Sequence, residues 1–199
     1  MSSLNEKAFA GEPSTNTRKV EMFHANTDSD SKNRILKEFT NTAGNLKVIV
    51  STVAFGMGVN ITDIDIVLHW GLPSSVLSYW QEVGRCARDG RQGYAICYAY
   101  KRSYSKLGED DELRKVLKEC NRVTILDNFL LVGMDKKSLE EISDKEDCEE
   151  ICENICGCMK CKCCIVCQRQ CKCKAKVTDP LKHFWKANKI TSFVICFTH

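Results

Sequence analysis

The chain predicts an α/β layer fold followed by a smaller helical, cysteine-rich segment, and three observations carry that expectation. Short apolar strands alternate with amphipathic helical stretches through the first half of the sequence. The strand at residues 46–50 is apolar apart from Lys47, which is the composition of a strand covered on both faces of a parallel sheet. Beyond Ser103 the strand pattern gives way to charged helical segments, and ten of the fourteen cysteines fall between Cys148 and Cys173.

The elements follow in order. Residues 1–19, with Gly11, Pro13 and several Ser, Thr and Asn, predict a flexible lead-in. Residues 20–23 form a short strand. Asp28 to Ser31 offers N-cap chemistry to a helix whose apolar side is Ile35, Leu36 and Phe39. The strand at 46–50 runs into Ser51, Thr52 and a loop carrying Gly56 and Gly58. Another strand, 64–69, ends at Gly71 and Pro73. Ser74 or Ser75 then caps a helix expected to run to Arg88, where Asp89, Gly90 and Gly93 break it. Residues 94–100 return as a strand, and the alternation predicts right-handed crossovers.

Leu113, Val116 and Leu117 mark one later helix, and Cys120 with Val123, Ile125, Leu126, Phe129 and Leu130 a second. Residues 136–155 are charged and expected to be helical. The chain divides into a lead-in at 1–19, a lobe at 20–105, a helical cysteine-rich subdomain at 106–176 and a tail of unknown role at 177–199.

Length and charge set outer bounds. A chain of 199 residues holds one good-sized domain and a small appendage. The net charge of +3 is too small to argue for nucleic-acid binding, but its distribution is uneven. Residues 157–176 carry six basic and no acidic side chains, whereas 109–150 carry fourteen carboxylates against seven basic groups. That division suits a phosphate-facing patch on a solvated support, and equally suits two solvated faces. No apolar run reaches the ~18 residues of a membrane span, and residues 1–17 lack the apolar core of a secretion signal. An intracellular, reducing setting is expected, in which abundant thiols bind metal rather than form disulfides.

Two clusters carry chemistry. Gln81, Arg85 and Arg88 are spaced at i, i+4 and i+7, on one face of the expected helix. Arginine presents a rigid donor fork that matches phosphate oxygens and stays charged when partly buried. Just upstream, an apolar strand opening into Thr52, Gly56 and Gly58 brings backbone amides close to an anion. In the second cluster, Cys161, Cys164 and Cys167 are closely spaced thiols that, with a distant fourth, make a tetrahedral set for zinc. Cys158 or Cys163 is an alternative to Cys161, and a two-metal or metallothionein-like run stays open. Cys86 and Cys97 are expected to be small buried apolar residues.

Residues 52–60 resemble motif V, and residues 81–90 resemble motif VI, of the RecQ-type superfamily 2 DNA helicases. The segment around His24 with the helix after it is similar to motif IV, and residues 120–129 resemble the helix that carries the family's first zinc cysteine. The resemblance covers about residues 20–173. It implies the second of two RecA-like lobes, followed by a helical zinc-binding subdomain.

By that resemblance Arg88 is the arginine finger that reaches the γ-phosphate held by the opposite lobe. Arg85 contributes to the same phosphate site, and Gln81 couples it to DNA and the attacking water. Thr52, His24 and Gly56 lie along the DNA backbone, and Gly58 and Asn60 lie toward the nucleotide. Cys120, Cys161, Cys164 and Cys167 hold a structural Zn2+. ATP with Mg2+ and single-stranded or forked DNA are the implied cofactor and partner, and the nucleus or another intracellular site the implied location. The sequence departs from the family at Asp65, where an arginine is frequent.

No Gly-x-x-x-x-Gly-Lys-Ser/Thr loop occurs in the 199 residues, nor an Asp-Glu-x-His run to hold magnesium. The chain therefore reads as the C-terminal part of an ATP-dependent 3′–5′ DNA helicase of repair or recombination, without ATP hydrolysis of its own and without its N-terminal lobe. The alternatives are a non-catalytic module that binds nucleic acid or a partner, and a cysteine-rich metal buffer. The last explains only the final third of the sequence.

Overall fold

The computed structural model describes residues 6–52, 61, 64–90, 93–105, 107–108, 111–134, 163–171 and 193–197. The chain forms two compact units, one of residues 1–104 with 188–199 and one of residues 105–187.

The first unit is built on a parallel five-stranded sheet. Its strands are β1 (Val20–Phe23), β2 (Val48–Ser51), β3 (Ile66–Trp70), β4 (Tyr94–Tyr98) and β5 (Phe193–Phe197). They lie in the order β1-β2-β5-β3-β4, every neighbouring pair parallel. The strand expected at residues 46–50 to be covered on both faces is β2, where Ile49 and Ser51 are buried and Val48 and Val50 only half-buried. It is β3 whose faces are both fully covered, Ile66, Val67 and Leu68 all being buried.

Helix α1 (Ser29–Thr40) crosses from β1 to β2. Asp28 caps it, its carboxylate accepting the Ser31 amide hydrogen at 2.8 Å. Ile35 and Phe39, one turn apart, enter a core with Phe23, Leu46, Ile49, Ile64, Val67 and Val194. Buried Glu21 on β1 accepts from Arg18 at 2.9 Å and from Arg34 of α1 at 3.0 Å, which fixes the helix against the strand. Helix α2 (Val76–Val83) follows β3, with the Ser75 hydroxyl accepting from the Ser78 amide at 3.0 Å. The short α3 (Lys101–Tyr104) follows β4.

Two expectations need correction. The described part of the lead-in is folded back by backbone bonds, with Ala10 donating to Thr17 and Lys19 to Ala8, each at 2.7 Å, around a 3-10 turn at Thr15–Thr17. Helix α2 ends at Val83 rather than at Arg88, so Arg85 and Arg88 do not share its face with Gln81. The cause lies across the fold: Cys86 is drawn into a parallel bridge with Ile64, and the next residue, Ala87, donates its amide to the Ile64 carbonyl. Within the tail, to which the sequence assigns no role, residues 193–197 are the central strand of the sheet.

In the second unit, α4 (Glu112–Lys118) and α5 (Asn121–Asp127) are consecutive short helices, and α6 (Ile165–Gln170) follows later. Asp111 caps α4 by accepting from the Leu113 amide at 2.9 Å, and Leu113, Val116 and Ile125 are buried. The charged stretch expected to be helical, residues 136–155, lies outside the described residues. Among the described residues no helix is long and apolar enough to cross a membrane.

Candidate functional site

The register of the sheet sets Ser51, Cys196 and His69 side by side across β2, β5 and β3. Thr52 follows immediately, at the carboxyl end of β2. Ligands of open parallel sheets gather at such strand ends, because loops and helix termini there leave a crevice. Over this row lies the last turn of α2. Glu82 reaches back to His69, Glu82 Oε2 meeting Nε2 of the fully buried imidazole. Tyr79 packs on the same ring, centroid to centroid at 5.1 Å. His69, Glu82 and Cys196 thus place three side-chain donors within 4.8 Å of one another. Burial pushes the Cys196 thiol up to about 12, with the Glu82 carboxylate adding to the effect and Arg85 opposing it.

The Glu82 contact anchors α2, and the arginines are presented just beyond it. After Gly84 the chain turns, and the Ala87 amide donates to the Ile64 carbonyl at 2.8 Å. Ala87 takes φ 49°, a left-handed conformation that costs a non-glycine residue roughly 1–3 kcal/mol. Close packing holds the turn: a Cβ on Gly93 would fall 2.5 Å from Cys86 Sγ and 2.7 Å from Ala87 Cβ. Arg85 is half-buried and lines a small pocket with Thr52, Ile64, Val67, Glu82, Val194 and Cys196. Burial, and then the charge of Arg88, lower its pKa from the ordinary arginine value. Arg88 is exposed, its Nε donating to the Gly84 carbonyl at 2.9 Å.

The structure therefore brings Thr52 and Arg85 to one pocket, with Arg88 on the turn beside it. Gln81 is exposed one residue before Glu82. His24 is half-buried at the end of β1, its backbone amide donating to Thr27 Oγ1 at 3.1 Å. Gly56, Gly58 and Asn60 lie outside the described residues. Sequence reading missed His69, Glu82 and Cys196. A histidine closing an apolar strand and a glutamate beside Gln81 were the available signals, but Cys196 sits in a segment whose place in the sheet no local pattern reveals.

In the second unit, Cys120, Cys163, Cys164 and Cys167 place their sulfurs within 4.8 Å of one another. Cys120 is the N-cap residue of α5, and Cys164 caps α6 by accepting the Cys167 amide at 3.5 Å. The Cys120 and Cys163 sulfurs stand 3.6 Å apart, near the ~3.8 Å edge of a tetrahedron with zinc–sulfur bonds of ~2.3 Å. Desolvation, followed by hydrogen bonding with Cys120 and Cys164, drives the Cys167 thiol far up. Donor type, number and spacing fit a structural zinc site. Cys161 lies outside the described residues, and Cys163 completes the described set of four. Cys86 and Cys97 are half-buried, with burial raising Cys97 to about 11.

Residues 4–90 match the family model described as the helicase conserved C-terminal domain. A relative from Acanthamoeba polyphaga mimivirus, named for ATP-dependent RNA helicase activity, is 30% identical over 157 residues, 68% of this chain and 26% of its own length. An ATP-dependent DNA helicase of Schizosaccharomyces pombe is 31% identical over 146 residues, 66% of this chain and 11% of its own. The ATP-dependent DNA helicase RecQ of Pasteurella multocida is 33% identical over 88 residues, 44% of this chain and 14% of its own. The sheet, the arginine turn and this match make the first unit a helicase C-terminal domain. Within that class it is the C-terminal lobe of a RecQ-type superfamily 2 helicase. The chain spans about a quarter or less of the length of these relatives.

Proposed function

We propose that this chain supplies the arginine-bearing, nucleic-acid-contacting lobe of an ATP-dependent 3′–5′ DNA helicase acting in repair or recombination. Its counterpart would be an N-terminal lobe that holds ATP and Mg2+. The observation that carries the reading is the turn at residues 84–88, which sets Arg85 in one pocket with Thr52 at the strand ends and carries exposed Arg88 three residues on. Guanidinium groups so presented would stabilise charge that develops as a phosphoryl group leaves, which is the work of an arginine finger. Thr52 and His24 would contact the DNA backbone, giving affinity without sequence preference. Asn60 and Gly58 would face the nucleotide and Gly56 the DNA. Gln81 would relay between the two. Cys120, Cys164 and Cys167, with Cys163 or Cys161, would hold one zinc ion as a structural clamp. The expected setting is nuclear or otherwise intracellular, where thiols stay reduced.

The test is binding of the purified chain to single-stranded DNA, forked DNA and RNA of one sequence across a salt series. Expected is salt-dependent binding to DNA that weakens with Thr52→Ala. No DNA binding at low salt would refute the nucleic-acid role, and tighter binding to RNA would move the substrate class. A hydrolytically silent binding module is the second reading, favoured by the lack of a P-loop motif in these 199 residues.

A further inference from the structure

Strands β2 and β3 are successive in the domain matched by the family model, yet they are not neighbours in the sheet. Between them is a slot one strand wide. Each bordering strand is paired on its outer side, to β1 or to β4, and turns its other edge to the slot. Residues 193–197 fill it, well outside the matched residues 4–90. All of β2 and all of β3 are in register with this one segment, Val48 and Ile66 facing Phe193, and Ser51 and His69 facing Cys196. Left empty, the slot would strand two rows of inward-facing backbone donors and acceptors, which buried structure does not tolerate.

The slot also specifies its occupant. It accepts an extended segment that pairs in parallel on both edges and is apolar on the core face. Val194 is fully buried in the core with Ile49, Ile64 and Val67, and Cys196, two residues on, is buried as well. Both residues line the pocket that holds Thr52, Glu82 and Arg85. The arginine turn is therefore built against the inserted strand. The filling segment is separated from β4 by the whole second unit, so β1 to β4 are synthesised and can associate before it arrives.

We propose that the slot between β2 and β3 is an acceptor site for one extended apolar strand, occupied here by the chain's own residues 193–197, and that the arginine turn is completed only when it is filled. This inference does not rest on the helicase reading.

The test is hydrogen exchange on the full chain, wild type and Val194→Asp, with and without a synthetic peptide of residues 191–199. In the wild type, amides at 193–197 should exchange at least about a hundredfold more slowly than in the free peptide, as do those of β2 and β3. Val194→Asp should strip protection from β2 and β3 together, and excess wild-type peptide should restore it. Fast exchange at 193–197 beside protected β2 and β3 would overturn the proposal. So would unchanged protection in the variant. A variant that loses protection and regains none with the peptide would make β5 an ordinary strand and overturn the acceptor site.

Discussion

Arg88 and Glu82 illustrate how single side chains divide the labour of the site. Arg88 is exposed on a turn held in an unfavourable conformation at Ala87, which suits the proposed reach to a phosphate on another lobe. In a longer chain carrying a P-loop lobe, Arg88→Ala should lower ATP turnover by ~10³-fold or more, with nucleotide affinity changed much less. Steady-state kinetics beside nucleotide titration checks the split, and equal losses in both would assign Arg88 to binding. Glu82 acts through structure: it gives buried His69 its partner and fixes the end of α2. Truncating it by Glu82→Ala leaves that imidazole nitrogen unsatisfied, at a cost of about 1–3 kcal/mol. Urea unfolding should register the loss, with Glu82→Gln retaining part of the stability. An unchanged midpoint for the alanine variant would remove Glu82 from the account.

At the scale of elements, most of the lobe was legible because its signals are local. The Asp28 and Ser75 caps, the one-turn spacing of Ile35 and Phe39, and the apolar run of β3 each follow from neighbouring residues. The end of α2 was not legible, since it depends on Ile64 capturing Cys86 and Ala87 across the fold. Nor was β5, whose place is set by a vacancy between two distant strands rather than by its own five residues. The thiol set was half legible: spacing singled out Cys164 and Cys167, but only the fold brings Cys163 to Cys120.

The inserted strand has a pH signature. The Cys196 thiol is raised from 9.0 to about 12 in the folded lobe, so folded and unfolded chains bind its proton alike below pH 9. Above that the unfolded thiol ionises first, and stability falls as pH rises toward 12. Melting temperatures of wild type and Cys196→Ala should diverge in slope over this window, the alanine variant being less alkali-sensitive. Parallel slopes would show that Cys196 does not titrate with unfolding. In the second unit, native mass spectrometry should find one zinc ion, lost in Cys164→Ser with Cys167→Ser. Chelator should make residues beyond Cys120 protease-sensitive, because metal affinity is felt there as folding free energy. A metal-free protein whose protease resistance ignores chelator would end the zinc assignment, and zinc retained in the double variant would move the ligands elsewhere in the run from Cys148.

For the whole molecule, the proposed function makes the first unit one side of a phosphoryl-transfer site, with Arg85 at the carboxyl ends of parallel strands, and the second unit a helical body holding four clustered thiols. What the 199 residues do not contain is a loop to cradle β- and γ-phosphates or a carboxylate pair for magnesium. The most direct measurement is steady-state ATP hydrolysis by the purified chain, with and without single-stranded DNA, in wild type and Arg88→Ala. The account predicts no DNA-stimulated turnover from either protein. Turnover at motor rates that disappears with Arg88→Ala would contradict it and require a complete nucleotide site within this chain.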